Sequence, residues 1–594
     1  MNPLRHMFTI LRPSPRLGLL AAAAAAALTL AACGGDTPAD PLQSYRNQTL
    51  AWTACDTSIL GGDNENTRAL WQQLGSRLQC ANMRAPMDYS QPSRADISVA
   101  LLRVSAGQPA QRRGAIAINP GGPGGDGLAM PFALYGTFAE PSSDTPAEQQ
   151  QRQHQLLDAF DLIGFSPRGT GSSTPLHCAS NEVERPVTLG PAGHATPGFW
   201  EDLQYNQRKR NEACLQNPLA THIHTDATAR DLDLMRSLLG DEKLHYIGYS
   251  YGTWLGAWYA SLFPERTGRM LLDSNMDFSG SFDVNLLEQT VAQQQMFDAV
   301  LAPYAARHAH LFNLGSTAEQ VRALPATFSP RLQSALQPAI EERLSPKGAN
   351  ALLTELTAAQ GLQAVLQTLP ADAPQQAVHE ALEVYNFNPQ HVQQSALARQ
   401  SALRLYAQMK TQPLATRVSL GGYPAVHMAV ICNDTATNPD PGFWQGISRE
   451  YAQKYPLFRG EIDTFSCLYW GGPRVQRPPL SAMAGLDVLL VQTQYDTQTA
   501  TDGALRAFSS LPAAKLIMVE GDYKHGVYPY EDRCVDDAVT RYLLGQGPAA
   551  RQSSCPGHPL AQDASASTKL ASADPAAAKG RTWLERYHRA IGRH

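Results

Sequence analysis

Gly248-Tyr249-Ser250-Tyr251-Gly252 is the first stretch of this chain whose residue types and spacing add up to chemistry. The apolar run Leu244 to Ile247 predicts a strand just before it, and Tyr251 to Phe263 predicts a helix just after it, halted by Pro264. A nucleophile at such a junction sits on a strained turn that lifts its hydroxyl clear of the sheet. Glycine two residues to either side removes the side chains that would collide with that turn. The pentapeptide alone occurs by chance in many chains, and Thr253 and Ser261 are nearby alternative hydroxyls. The strand–turn–helix setting is what selects Ser250.

A serine nucleophile needs donors for a developing oxyanion, a base and an orienting acid. Asn119-Pro120-Gly121-Gly122-Pro123-Gly124-Gly125 follows the apolar run Gly114 to Ile118, and backbone without side chains can approach a substrate and aim N–H groups at it. The amides of Gly122 and Tyr251 are the candidate oxyanion donors, with Gly121 as the alternative. No Lys-Ser/Thr closes this glycine run, which argues against a phosphate cradle. Further on, Leu486 to Val491 reads as a strand leading to Asp496, and Lys515 to Val519 as a strand leading to His525. The order Ser, Asp, His then assigns His525 as base and Asp496 as the acid that fixes its tautomer. Asp502, Asp487 and Asp522 compete with Asp496; Asp487 stands at the beginning of its strand, the wrong end.

The elements that must position these residues alternate. Strands are predicted over 96–105, 114–118, 160–164, 244–247 and 269–272, with helices over 226–239 and 251–263, the pattern of an α/β protein with a doubly wound, mostly parallel sheet. From about 278 to 479 strand signals are few and Ala, Leu and Gln abound; Val392, Ala396, Leu403, Tyr406 and Met409 recur at roughly helical spacing. This predicts a large helical cap inserted between a first core segment, 46–277, and a second, 480–556. A final helix is expected over 532–544, and residues 557–594 read as a low-complexity, basic tail.

The chain of 594 residues is 43% hydrophobic and 17% charged, too apolar for a disordered chain. Its net charge of −5 offers no basic field for nucleic acid. Arg5, Arg12 and Arg16 precede an uncharged run, Leu17 to Ala32, that is short for a bilayer span and fits an export signal over 1–32. The run ends in Leu30-Ala31-Ala32-Cys33, which looks like a bacterial lipobox. It implies cleavage before Cys33, lipid on its thiol, a tether over 33–45 and anchorage to a membrane facing the periplasm or the cell exterior. Eight cysteines then remain: Cys55, Cys80, Cys178, Cys214, Cys432, Cys467, Cys534 and Cys555. That even number suits an oxidising compartment, although eight cysteines allow 105 connectivities. No C-x-x-C pair points to zinc, and no metal or cofactor is expected.

Several separated motifs carry a family resemblance. Thr225-Asp-Ala-Thr-Ala-Arg-Asp-Leu-Asp-Leu-Met-Arg-Ser-Leu-Leu-Gly240, Gly248 to Thr253, Phe263-Pro-Glu-Arg-Thr-Gly-Arg269 and Leu272-Asp273 resemble the secreted tripeptidyl aminopeptidases of the α/β-hydrolase fold, relatives of proline iminopeptidase. Asn119 to Gly125, Pro167-Arg-Gly-Thr-Gly171, Ile431-Cys-Asn-Asp434, Cys467-Leu-Tyr-Trp470 and Tyr542-Leu-Leu-Gly545 fit in the same order, over roughly residues 50–556. The resemblance implies a serine exopeptidase that releases short peptides, tripeptides, from free N-termini. It also implies disulfides between sequence neighbours, 55–80, 178–214, 432–467 and 534–555. A carboxylesterase or lipid acyl hydrolase on the same triad is the alternative, and a noncatalytic binding lipoprotein a distant third.

Four positions depart from the family pattern: Ser166 where relatives carry Asp, Asp126 after the oxyanion glycines, Ala500 for Pro and Lys524 for Gly before the histidine. An acid beside the oxyanion loop and a cation beside the base would retune His525 in opposite senses. Recognition of a free amine calls for a carboxylate, and the candidates are Asp434, Glu461, Asp463 and Glu265. Asp434 is favoured slightly, because a disulfide at Cys432 would hold it still.

Overall fold

The computed structural model describes residues 40–60, 65–141, 145–190, 195–411, 413–459, 463–472 and 474–564. The leader, Cys33, Glu461 and residues 565–594 lie outside them. Ten strands form one sheet, in the order β1 (Thr53–Ala54), β2 (Leu78–Pro86), β3 (Asp96–Val104), β5 (Asp161–Phe165), β4 (Ala115–Asn119), β7 (Leu244–Tyr249), β8 (Thr267–Asp273), β10 (Val488–Thr493), β11 (Lys515–Glu520) and β12 (Gln552–Pro556). Pairing is antiparallel from β1 to β5 and parallel from β5 through β12. The sequences Ala-Ile-Ala-Ile-Asn, Asp-Leu-Ile-Gly-Phe and Val-Leu-Leu-Val-Gln-Thr are buried at every position. That is what a parallel strand covered by helices on both faces requires.

The helices begin and end where their chemistry dictates. His224 Nδ1 accepts the Ala227 amide at 3.1 Å and so caps the helix Thr225–Leu238. Gly240, at φ +74°, ends it by letting the amides of Gly240 and Asp241 turn back to Ser237 and Arg236.

Between β8 and β10 the chain leaves the sheet and builds a second core. Helices Pro330–Glu341, Ala349–Thr368, Gln375–Val384 and Val392–Lys410, with the stretch 296–305, supply most of it. The helix predicted around Val392 forms, and of the expected inward residues Tyr406 is buried and Leu403 and Met409 are partly buried, while Val392 and Ala396 face solvent. Val392 is 85% exposed, while Ala398, Ala402, Leu405 and Tyr406 are buried against the helix Ala349–Thr368. Small residues decide that face, and a hydrophobic count gives them too little weight.

The cap also recruits chain from the first core segment. Strand β6 (His177–Val183) pairs antiparallel with β9 (Arg417–Gly421) of the cap, outside the main sheet. Its sequence, His-Cys-Ala-Ser-Asn-Glu-Val, has no apolar alternation and was not predicted as a strand. At the other end, residues 557–564 are not part of a loose tail: Leu560 is buried and the segment is tied to the body by hydrogen bonds and ion pairs. The His558 amide donates to Tyr530 Oη at 3.0 Å, and Asp563 pairs with Arg307 and His308 of the cap at 2.5 and 2.7 Å. Tyr45, the last residue of the expected tether, is buried and donates to the Pro92 carbonyl at 2.5 Å.

Four disulfides join Cys55–Cys80, Cys178–Cys214, Cys432–Cys467 and Cys534–Cys555, as the resemblance implies. The first and last staple the two edges of the sheet, where strands are otherwise paired on one side only. Four such bonds are the chemistry of an oxidising, extracytoplasmic compartment. Among the described residues no helix is long and apolar enough to cross a membrane.

Candidate active site

Ser250 follows the last residue of β7 and starts the helix Tyr251–Leu262 with φ 56° and ψ −124°, a conformation an L-residue adopts only when its surroundings impose it. The glycines around it are needed for space: a Cβ on Gly248 would strike the Gly252 carbonyl, and one on Gly252 would lie 2.9 Å from the Asn119 oxygens. The alternative hydroxyls are placed elsewhere. Thr253 Oγ1 donates to the Ser250 carbonyl at 2.7 Å and accepts the Met276 amide, and Ser261 is at the far end of the helix.

The glycine loop after β4 lies directly on this turn. A Cβ on Gly121 would be 2.9 Å from Ser250 Cβ and 3.0 Å from the Tyr251 nitrogen. The Gly121 amide is already spent on Asn119 Oδ1, at 3.0 Å. The Gly122 amide has no such acceptor among the described residues, and Tyr251, first in its helix, has no intrahelical acceptor. Gly122 and Tyr251 therefore remain the candidate donor amides, ahead of Gly121.

His525 Nδ1 sits 2.9 and 3.0 Å from the two oxygens of Asp496. Asp496 is fully buried and also accepts the amides of Gln498 and Thr499, both at 2.9 Å. A carboxylate on Nδ1 makes that nitrogen the protonated one and leaves Nε2 with its lone pair. Nε2 is buried and has no hydrogen-bond partner among the described residues. Two competing acids are engaged elsewhere: Asp487 pairs with Lys515 at 2.9 Å at the start of β10, and Asp522 accepts the Tyr523 and Lys524 amides and the Tyr530 hydroxyl; the third, Asp502, is exposed in the first turn of the helix Thr501–Ser509.

What brings the histidine loop to the serine is the end of β8. The Ser250 amide donates to the Asp273 carbonyl at 3.0 Å, while the Asp273 carboxylate accepts the amides of Val527 and Tyr528 at 2.9 and 2.6 Å. Ser274, at φ 57°, accepts the Gly526 amide on its hydroxyl at 2.8 Å. One dipeptide thus holds both the Ser250 turn and the segment just after His525. Burial pushes the Asp273 carboxyl up to about 6, against the pull of the two amides. In the sequence Asp273 stands out only as part of a family motif, and neither residue has a role assigned there. The available signal was a carboxylate closing an apolar strand, Met270-Leu271-Leu272-Asp273, at the same sheet end as Ser250.

The expected departures resolve into contacts. Ser166 Oγ donates to Asp126 Oδ1 at 2.8 Å, so two of the unusual residues bond to each other. Lys524 donates to the Val527 carbonyl at 3.3 Å with its ammonium 5.0 Å from the Tyr530 ring; burial pushes it down to about 8, opposed by Asp522, Asp273 and Asp536.

The amine candidates fare unevenly. Both oxygens of buried Asp434 are taken by Thr225, one by its amide at 2.9 Å and the other by its hydroxyl, which also meets Tyr251 Oη at 2.6 Å. Burial pushes its carboxyl up to about 7. Asp434 is a strut behind Tyr251 and presents no free oxygen to an ammonium. Glu265 is exposed in the turn entering β8, at the opposite end of the sheet from Ser250. Neither position could be judged from sequence, because adjacency to a disulfide or a strand does not reveal which oxygens are already bonded. Asp463 opens the short helix Asp463–Tyr469, whose backbone alone is described there, and Glu461 lies outside the described residues.

Sheet order, serine turn and carboxylate–imidazole pair together define an α/β hydrolase. Two family models agree in chain order, one for the alpha/beta hydrolase fold over residues 115–337 and one for TAP-like proteins over 457–555. A tripeptidyl aminopeptidase of Streptomyces coelicolor is 29% identical over 527 residues, 86% of this chain and 88% of the relative. Serine protease Hip1 of Mycobacterium tuberculosis is 27% identical over 546 residues, 88% and 95% of the two chains. A protein of the same organism named carboxylesterase B is 27% identical over 530 residues, 86% and 90%. Over most of its length the chain resembles the tripeptidyl aminopeptidase-like serine peptidases of the α/β-hydrolase fold.

Proposed function

We propose that this chain is an exported aminopeptidase that releases short peptides, tripeptides foremost, from free N-termini through an acyl-enzyme. The observation that supports this reading best is the imidazole of His525, held on Nδ1 by Asp496 and with a buried, unpartnered Nε2. In this reading His525 takes the Ser250 proton as the hydroxyl attacks the scissile carbonyl, and the amides of Gly122 and Tyr251 receive the oxyanion. The imidazolium, stabilised by Asp496, then protonates the leaving amine. Water, activated by the same base, frees the peptide acyl group. Glu461 and Asp463 remain as carboxylates for the substrate ammonium. The segments 46–277 and 480–556 form the hydrolase core and 278–479 the cap, with β6 joined to it. Lipid attachment at Cys33 would hold the enzyme on the outer side of a membrane.

The second reading, an ester hydrolase, is favoured by the relative named carboxylesterase B. Tripeptide p-nitroanilides with free and acetylated N-termini, assayed beside short-chain p-nitrophenyl esters, separate the two. The aminopeptidase reading expects acetylation to lower kcat/KM by about 100-fold, as loss of a paired charge does. Indifference to acetylation with faster ester turnover would overturn it. Ser250→Ala should lower kcat by about 10⁴-fold or more with an unchanged melting temperature.

A further inference from the structure

Gly121, Gly122, Gly124, Gly125 and Gly127 crowd the loop that carries the candidate oxyanion amide, and three of them take φ values of +97°, +114° and +100°. Such a segment has many alternative conformations, so its amides are preorganised only if groups outside the glycines hold it. The entrance is held by Asn119, whose Oδ1 accepts the Gly121 amide, and the turn closes where the Gly125 amide meets the Gly121 carbonyl at 3.0 Å. The exit is held by Asp126. Its Oδ1 accepts the Leu128 amide at 3.0 Å and the Ser166 hydroxyl at 2.8 Å.

Ser166 is fully buried and comes directly after β5, the strand beside β4. Its hydroxyl oxygen accepts the Ser172 amide at 3.4 Å, and Thr170 Oγ1 from the same turn donates to the Gly124 carbonyl at 3.5 Å. The turn after β5 therefore grips the glycine loop on the side of β4 away from β7 and Ser250. Gly171 completes the fit, since a Cβ there would run into the second oxygen of Asp126 and come 2.8 Å from Ser166 Oγ. Asp126 is exposed along one edge yet lies in a recess of surrounding protein that pushes its carboxyl up, against the pull of the Leu128 and Ser166 donors.

We propose that Asp126 and Ser166 form a clamp that sets the oxyanion loop against Ser250, which makes Asp126 a positioning residue for the reaction. The inference rests on the assignment of Ser250 and the glycine loop, and is independent of whether the preferred substrate is a peptide or an ester. A carboxylate facing a hydroxyl makes the same bond from either side, so the clamp is reversible in polarity: in the swap Asp126→Ser with Ser166→Asp, the new hydroxyl at 126 can still accept the Leu128 amide and donate across the gap.

The test uses the full chain, with kcat and KM measured on a tripeptide p-nitroanilide and a p-nitrophenyl ester. The inhibition constant of a peptidyl trifluoromethyl ketone, whose serine adduct carries an oxyanion, is measured beside them. Asp126→Ala and Ser166→Ala should each lower kcat by about 10- to 100-fold on both substrates, with KM within about threefold, and weaken the ketone by the same factor. The swap should return kcat to within about fivefold of the parent. The clamp is overturned by single variants that keep kcat within about twofold. It is equally overturned by a fall in kcat that leaves ketone affinity untouched, or by a swap no better than its worse single variant. Should Asp126→Ala not fold, Ser166→Ala and the swap decide. Fluorophosphonate labelling that survives Ser250→Ala would instead remove the nucleophile assignment beneath the proposal.

Discussion

The end of β8 and the helical cap are held together by different physics. At Asp273 and Ser274, four backbone amides from two separate loops end on two side chains and one carbonyl, nearly all of them buried. In the cap, Leu352, Leu353, Leu356, Ala398, Ala402 and Leu405 pack side chain against side chain, with Glu355, bonded to Ser401 and Arg404, as the buried charge among them. Hydrogen bonds are directional and fix atoms to tenths of an ångström, whereas apolar packing fixes volume and tolerates repacking. The contrast teaches that directional bonds fix the sheet rim, to which the cap contributes through Asp434, while apolar packing holds most of the cap itself.

The largest effect that would break this contrast is at the rim. Asp273→Asn turns one acceptor into a donor facing amides that need acceptors, so the histidine loop should shift. We expect kcat to fall by about 100-fold although Asp273 touches no substrate, the cost of about an ångström of misplacement. Steady-state kinetics with fluorophosphonate labelling rates check this; an unchanged kcat would dissolve the special status of the rim.

The cap should answer in the opposite currency. Leu353→Ala empties space at a side chain with no exposure and should cost about 2–5 kcal/mol of stability by thermal or urea unfolding. Below the transition, kcat should stay within about threefold. A kcat loss as large as that of Asp273→Asn would show that the cap, too, sets the geometry.

The smallest effect is read as a pH trend. The folded pKa of Asp434, about 7, lies above its unfolded value of about 3.9. The folded chain therefore binds this proton more tightly, and the associated stability is present below about pH 4 and is lost as pH rises through about 7. Asp434→Asn removes that dependence, so its melting temperature should rise relative to the parent between pH 5 and pH 8. Its KM for free-amine and acetylated substrates should change in parallel; a selective loss for the free amine would return Asp434 to substrate binding.

Much of the hydrolase core was legible because its signals are local. Apolar runs at 115–118 and 488–491 leave no alternative to buried strands, and the glycines around Ser250 declare a tight turn. The cap resisted because alanine and serine pack inward or face water with nearly equal ease, and Val392 misled accordingly. β6 escaped for a related reason: its partner, β9, is more than 200 residues away in the chain, and neither strand is apolar enough to announce itself. The amine candidates were chosen by neighbourhood along the chain, which does not tell a free carboxylate from one already bonded to Thr225.

Sequence alone pointed to the alternation of strands and helices, the tight turn at Ser250, Asp496 and His525 at the ends of two strands, and a cysteine set suited to four disulfides, because each is written in short-range spacing or residue type. Tertiary structure alone decided that Asp273 and Ser274 tie two loops together, that Asp434 is a strut, and that two departures from the family pattern, Asp126 and Ser166, are the halves of one bond. Hydrogen bonds form between groups that meet in space, and residues 40 or 250 positions apart meet only once the sheet has brought their strands side by side.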